Sequence, residues 1–140
     1  RRKLIVKMLI TMMIIFYCSN AFAYFSSDLD QAEMYANDSA RNARRALFSD
    51  DLDEANNYAR KSKNDAYDCQ NYLNSARRDI SNNGNYNAMK IINMAMVSIQ
   101  EAESFARKAQ YAVDLDEVHF YADKARKAAN QAESFIRQVM

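Results

Sequence analysis

Few residues in this chain have the type and spacing to do chemistry. Two acidic runs, Asp50-Asp51-Leu52-Asp53-Glu54 and Asp114-Leu115-Asp116-Glu117, gather carboxylates of the kind a hard cation such as Ca²⁺ prefers. The same residues also spell a helix start. Asp51 and Asp114 stand where an N-cap belongs, with Glu54 and Glu117 three places on, so each Asp can accept from a first-turn N–H while the Glu reaches back. Asp53 and Asp116 add charge favoured at the positive end of a helix dipole. Capping accounts for the acids, and the twelve-residue EF-hand loop is missing, so no metal ligand is assigned.

His119 is the single histidine. It falls one residue beyond the apolar stripe Leu115/Val118, which predicts a rim or surface position rather than a general base or metal ligand. There is no Glu-x-x-His pair for a di-iron centre, no Cys-x-x-Cys-His for haem, no Gly-rich phosphate loop and no Gly-x-Ser-x-Gly. No catalytic, cofactor-binding or metal residue is therefore expected, and the chain reads as not an enzyme. Cys69, the one cysteine after residue 23, lies on the apolar stripe of its segment. It is expected as a small buried hydrophobe, the alternative being a disulfide between subunits.

Residues 1–23 read as a signal peptide. Arg1, Arg2, Lys3 and Lys7 form a basic start, Met8 to Tyr17 an apolar run of ten, and Ala21-Phe22-Ala23 a cleavage site that would leave Tyr24 first. The run falls short of the roughly 20 residues a membrane span needs. Phe16 and Tyr17 are too bulky to precede a lipidated Cys18. The expected location is secreted or periplasmic, with membrane contact only through an uncleaved leader. The chain carries 19 basic and 18 acidic residues, and four of the basic ones precede Tyr24, leaving 15 − 18 = −3. That balance gives no electrostatic reason to seek nucleic acid. Arg60-Lys61-Ser62-Lys63 and Lys124-Ala125-Arg126-Lys127 read as solvated helix faces.

What positions these residues is a stretch that occurs twice. Residues 43–59 and 106–122 superpose after a shift of 63, matching Ala43/Ala106, Ala46/Ala109, Phe48/Tyr111, Asp51-Leu52-Asp53-Glu54/Asp114-Leu115-Asp116-Glu117 and Tyr58-Ala59/Tyr121-Ala122. The match continues to Ala66/Ala129 and Tyr72/Phe135. Such self-similarity marks an internal duplication. Asp28-Leu29-Asp30-Gln31 and Asn85-Tyr86-Asn87 supply two more helix starts.

Apolar and small residues recur by threes and fours in four segments, from Leu29 to Ala46, Leu52 to Ile80, Ala88 to Val113 and Leu115 to Val139. This is the heptad seam of left-handed bundles, here rich in alanine. One long helix over 28–80 is excluded because the seam resumes at Leu52 two places late. Two extra residues turn a helix by roughly 200° and would bury opposite faces. The fold class expected is all-α: an antiparallel up-down-up-down four-helix bundle of residues 24–140, made of two duplicated hairpins at about 28–81 and 85–140. Helix spans of about 29–48, 52–80, 86–112 and 115 onward follow, with Ser81-Asn82-Asn83-Gly84 as the loop. Tyr35, Tyr58, Tyr72, Phe105, Tyr121 and Phe135, with Met89, Met94 and Met96, are expected to fill space between hairpins.

The functional expectation is an exported, non-catalytic helical bundle acting through protein–protein contacts, as a structural, adaptor, inhibitor or chaperone-like module. The alternative is a small-ligand or metal carrier. The partner is an unknown protein, with a homo-oligomer as a further option. The two acidic turns are expected at one end of the bundle, where they could form a docking surface.

Overall fold

The computed structural model describes the backbone of residues 2–140 and the side chains of residues 2–12 and 27–140. The side chains of Cys18, Ala21, Phe22 and Ala23, on which the cleavage and lipidation readings rest, lie outside that set. The described residues form α1 (Arg2–Phe48), α2 (Leu52–Asn83), α3 (Tyr86–Gln110) and α4 (Leu115–Gln138). No strand occurs among them, and the fold is an all-helical bundle.

The start of α1 departs from the sequence expectation. The Asp28-Leu29-Asp30-Gln31 signal does not begin a helix, because α1 already runs through it from Arg2. A capping sequence acts only where the backbone ahead of it leaves helical geometry, as it does at Asp51 and does not at Asp28. Asp28 sits inside α1 instead, beside Asp79 of α2. Residues 2–12 are exposed and join none of the hydrophobic clusters.

The remaining boundaries follow local chemistry. At Asp51 the chain is extended (φ −108°, ψ 128°) and its Oδ1 accepts the Glu54 N–H at 2.7 Å. The Glu54 carboxylate does not close the capping box on Asp51. It accepts the Ser49 hydroxyl at 2.9 Å, and the Ser49 Oγ in turn accepts the Asp51 N–H at 3.4 Å. The serine relays the reciprocal bond. At α4, Asp114 Oδ1 accepts the Glu117 N–H at 2.8 Å.

The helix over 52–80 extends to Asn83, so the connection shrinks to Gly84 and Asn85. Gly84 takes φ +72°, the left-handed region open to a residue without Cβ, and its N–H closes on the Ile80 carbonyl at 3.0 Å. Asn85 then caps α3 through the Ala88 N–H at 3.2 Å. The third helix ends at Gln110, two residues before the expected Ala112.

Burial follows the seam. Leu29/Ile92, Ala36/Ile99, Ala43/Ala106, Ala59/Ala122, Ala66/Ala129, Cys69/Ala132 and Leu73/Ile136, each 63 apart, are all at most 1% exposed. The bulk is unevenly spread. Leu29, Leu73, Ile80, Ile92, Ile99 and Ile136 gather toward the Gly84 end, whereas Ala43, Ala106 and Ala125 form a layer of three methyl groups farther along. Small side chains at such a layer permit helix axes at the short end of the usual 8–10 Å spacing.

Polar pairs set the levels at which the helices meet. Asn42 donates to Asp65 (2.7 Å) and Ser39 pairs with Ser62 between α1 and α2. Lys63 donates to Gln110 (2.9 Å) and Gln70 to Glu103 (2.6 Å) between α2 and α3. Arg137 donates to Glu33 (2.7 Å) and Asn37 to Glu133 (3.2 Å) between α4 and α1. In both of the latter interfaces the residue numbers rise on one helix as they fall on the other.

The aromatic filling differs from expectation. Tyr35 stacks on Tyr72 with centroids 5.6 Å apart, and Phe105 on Tyr121 at 6.4 Å. Each stack joins α1 to α2 or α3 to α4. Met96 is buried, but Met94 is 42% exposed, since it falls one step off the Ile92/Ala95 seam.

Candidate functional site

The break between α1 and α2 and the break between α3 and α4 surround one cluster, built from Ala46, Ala55, Ala109, Ala112, Val118 and Ala122 with Leu52 and Leu115 against it. The two acidic turns therefore share an end of the bundle. Each break is held by a side chain from the first turns of a helix across the bundle, α4 for the first and α2 for the second. His119 Nε2 lies 2.9 Å from the Ser49 carbonyl, and Asn56 Nδ2 donates to the Ala112 carbonyl at 3.5 Å. Asn56 and His119 are 63 apart, as are Ser49 and Ala112. A carbonyl can only accept, so Nε2 carries the proton and is engaged. His119 is thus a half-buried clasp between α4 and the break that follows α1, a role the rim expectation did not foresee.

Around the clasps the carboxylates of Asp50, Asp51, Asp53, Glu54, Asp114, Asp116 and Glu117 are exposed. Among the described residues no three His, Cys, Asp or Glu side chains converge as a metal ion requires. Asp51 Oδ1 and Asp114 Oδ1 are committed to the helix starts, and Glu54 to Ser49.

The same end exposes large apolar side chains that burial would favour. Phe48 is 70% exposed, Tyr111 71% and Val113 80%. Phe48 and Tyr111 are matched positions of the repeat. Beside Phe48 lies an open hollow of about 510 Å³ lined by Arg45, Asp50, Glu54 and Tyr58. The Arg44 guanidinium stands 5.7 Å from the Phe48 ring, and Tyr58 is flanked by Arg45 at 5.7 Å and Lys61 at 5.3 Å. Sequence reading missed this apolar component. Its signal was present: Phe48 and Tyr111 align in the repeat yet sit off the seam.

Cys69 is free and fully buried, and burial pushes its thiol pKa up. The sulfur lies in the core, out of reach of a cysteine on another subunit, which removes the disulfide alternative. A second hollow, of about 420 Å³, lies along α3 between Tyr86, Met89, Met94 and Val97.

Compared with known proteins, the chain matches no family model, no curated protein and no solved structure.

Proposed function

We propose that this chain is an exported, non-catalytic adaptor: an up-down-up-down antiparallel bundle of two duplicated hairpins that binds a partner protein through its acidic end. Burial at positions 63 apart and the matched Asn56 and His119 clasps support the duplicated architecture. The basic start, apolar run and Ala21-Phe22-Ala23 site support export with Tyr24 first, into the periplasm or medium.

The observation that carries the docking reading is the exposure of Phe48, Tyr111 and Val113 beside seven carboxylates. Aromatic side chains left in water at the end of a well-packed bundle are what a protein interface covers. A partner with an apolar centre and a basic rim fits that end. The test is affinity capture from the exported fraction with the wild type and with Phe48→Ser/Tyr111→Ser. A protein retained by the first and lost by the second is expected. Equal recovery by both would remove the acidic end from the reading.

A further inference from the structure

The charge of −3 over residues 24–140 hides a segregation that folding brings to one level. Residues 41–49, 55–64, 104–112 and 118–127 carry eleven Lys or Arg and a single acid, Asp123. The rest of residues 24–140 carries four basic and seventeen acidic residues, so +10 stands against −13. Taken one at a time, the short basic runs look like ordinary solvated helix faces. The fold stacks them side by side.

Asn42 bonds Asp65, Lys63 bonds Gln110, Asn37 bonds Glu133, and Ala43, Ala106 and Ala125 share one layer. Carried along the helices at 1.5 Å per residue, these pairings place all eleven cations in a belt roughly 9 Å tall. Every helix contributes to it, and nine of the eleven side chains are exposed, Lys63 and Arg126 being half-buried. Four, Arg41, Arg107, Arg126 and Lys127, pair with a carboxylate. The other seven have no carboxylate partner among the described residues. Arg44, Arg45, Lys61, Lys108 and Lys124 lie instead over the rings of Phe48, Tyr58, Phe105, Phe120 and Tyr121.

We propose that this belt binds a linear acidic polysaccharide, one bearing sulfate or carboxylate groups along its length. Charge complementarity names an anion, and the geometry narrows its kind. Acidic surface lies above and below the belt, so a flat anionic bilayer would meet repulsion wherever it extended past those 9 Å or so. A thin flexible chain can stay within the belt and pass from helix to helix. Single-stranded nucleic acid binds by stacking its bases on aromatic faces. Here those faces already carry the protein's own Lys and Arg groups, with Lys124 Nζ 4.8 Å from the Phe120 centroid and 5.4 Å from that of Phe105. What the belt offers is charge held at fixed spacing by rings, which suits a polymer recognised by its anionic groups. The proposal goes beyond the protein-docking reading and does not rest on it: the two adjoin at Phe48 and Tyr58, but the belt is probed by changing its cations and the docking end by changing Phe48 and Tyr111, so either can fail alone.

The test uses the full chain and titration calorimetry with a size-defined heparin oligosaccharide, an oligodeoxythymidylate of equal charge, and phosphatidylglycerol vesicles. Heparin is expected to bind tightest, with affinity falling as salt rises. Arg44→Gln/Arg45→Gln/Lys61→Gln/Lys108→Gln should weaken it at least about tenfold by removing four of the belt's seven unpaired charges. Arg77→Gln/Arg78→Gln/Lys90→Gln, which removes cations outside the belt, should leave it unchanged, and circular dichroism should show both variants fully helical. Equal heparin affinity in the belt variant and the wild type overturns the proposal. So does an oligonucleotide or vesicle that binds as tightly as heparin.

Discussion

His119 holds the Ser49 carbonyl at 2.9 Å, tying the start of α4 to the break between α1 and α2. Its counterpart 63 residues earlier is Asn56, which reaches the Ala112 carbonyl with a side-chain amide. One imidazole and one amide thus do the same work at the two breaks. His119→Ala should destabilise the bundle by about 1 kcal/mol, the usual net worth of such a bond. His119→Asn should recover much of that loss. Urea unfolding of the two variants decides the matter, and equal losses in both would show that the imidazole acts by packing rather than by donating.

Ser39 and Ser62 exchange hydroxyls inside the core. Ser39 Oγ donates to the Ser62 carbonyl at 2.9 Å and Ser62 Oγ to the Ser39 carbonyl at 2.8 Å. The matched positions 63 residues on are Ala102 and Ala125. Either serine changed to Ala should cost about 1 kcal/mol. The double change reproduces an alanine pair the fold already accommodates, so its cost should fall below the sum of the singles. A double-mutant cycle on thermal melts reads the coupling.

Asp114→Ala removes the acceptor of the Glu117 N–H at the start of α4. A loss of about 1 kcal/mol is expected in denaturant unfolding. Asp114→Asn, which keeps an acceptor oxygen, should lose much less.

Ala43, Ala106 and Ala125 are buried against one another with Phe105 packed on them. Ala125→Leu should overpack this layer and destabilise the bundle by about 1–3 kcal/mol. The same replacement at Ile136, which lies among larger neighbours, preserves volume and should be milder by calorimetry.

Two aspartates give opposite pH dependences. Burial, then the nearby Asp79 carboxylate and a hydrogen bond with it, hold Asp28 above the usual carboxylate range, with Arg78 opposing. A raised folded-state pKa contributes stability below the ordinary value and loses it as pH rises through the raised one. Hydrogen bonds from Arg126 and Lys127 hold Asp123 below that range. Its contribution is present above the ordinary value and fades as pH falls. Asp28→Asn should therefore raise the melting temperature at neutral pH relative to wild type, the gain shrinking in acid. Asp123→Asn should lower it at neutral pH, the deficit shrinking in acid.

Periodicity made the seams legible, because a core-facing stripe must recur every three or four residues whatever its neighbours do. Leu52, Val118, Ile99 and the alanines between were readable for that reason, as were the caps at Asp51 and Asp114. The start of α1 was not. Asp28-Leu29-Asp30-Gln31 resembles a helix start only if the preceding chain is not already helical, which is a property of residues 2–27. The basic belt was invisible for another reason. Its four stretches are separated in sequence by acidic ones, and a total charge averages over distances that folding removes. Phe48 and Tyr111 align in the repeat just ahead of the acidic turns, but their exposure was not legible, since a register shift of one residue decides between core and water.

The pairing of Asp28 with Asp79, close to Gly84, puts the part of α1 around residue 28 at the opposite pole from Phe48 and Tyr111. An affinity tag attached ahead of residue 24 projects from the far pole. Immobilising the molecule by that route keeps its aromatic tip pointed outward, the orientation a surface-displayed receptor or a sensor chip would need.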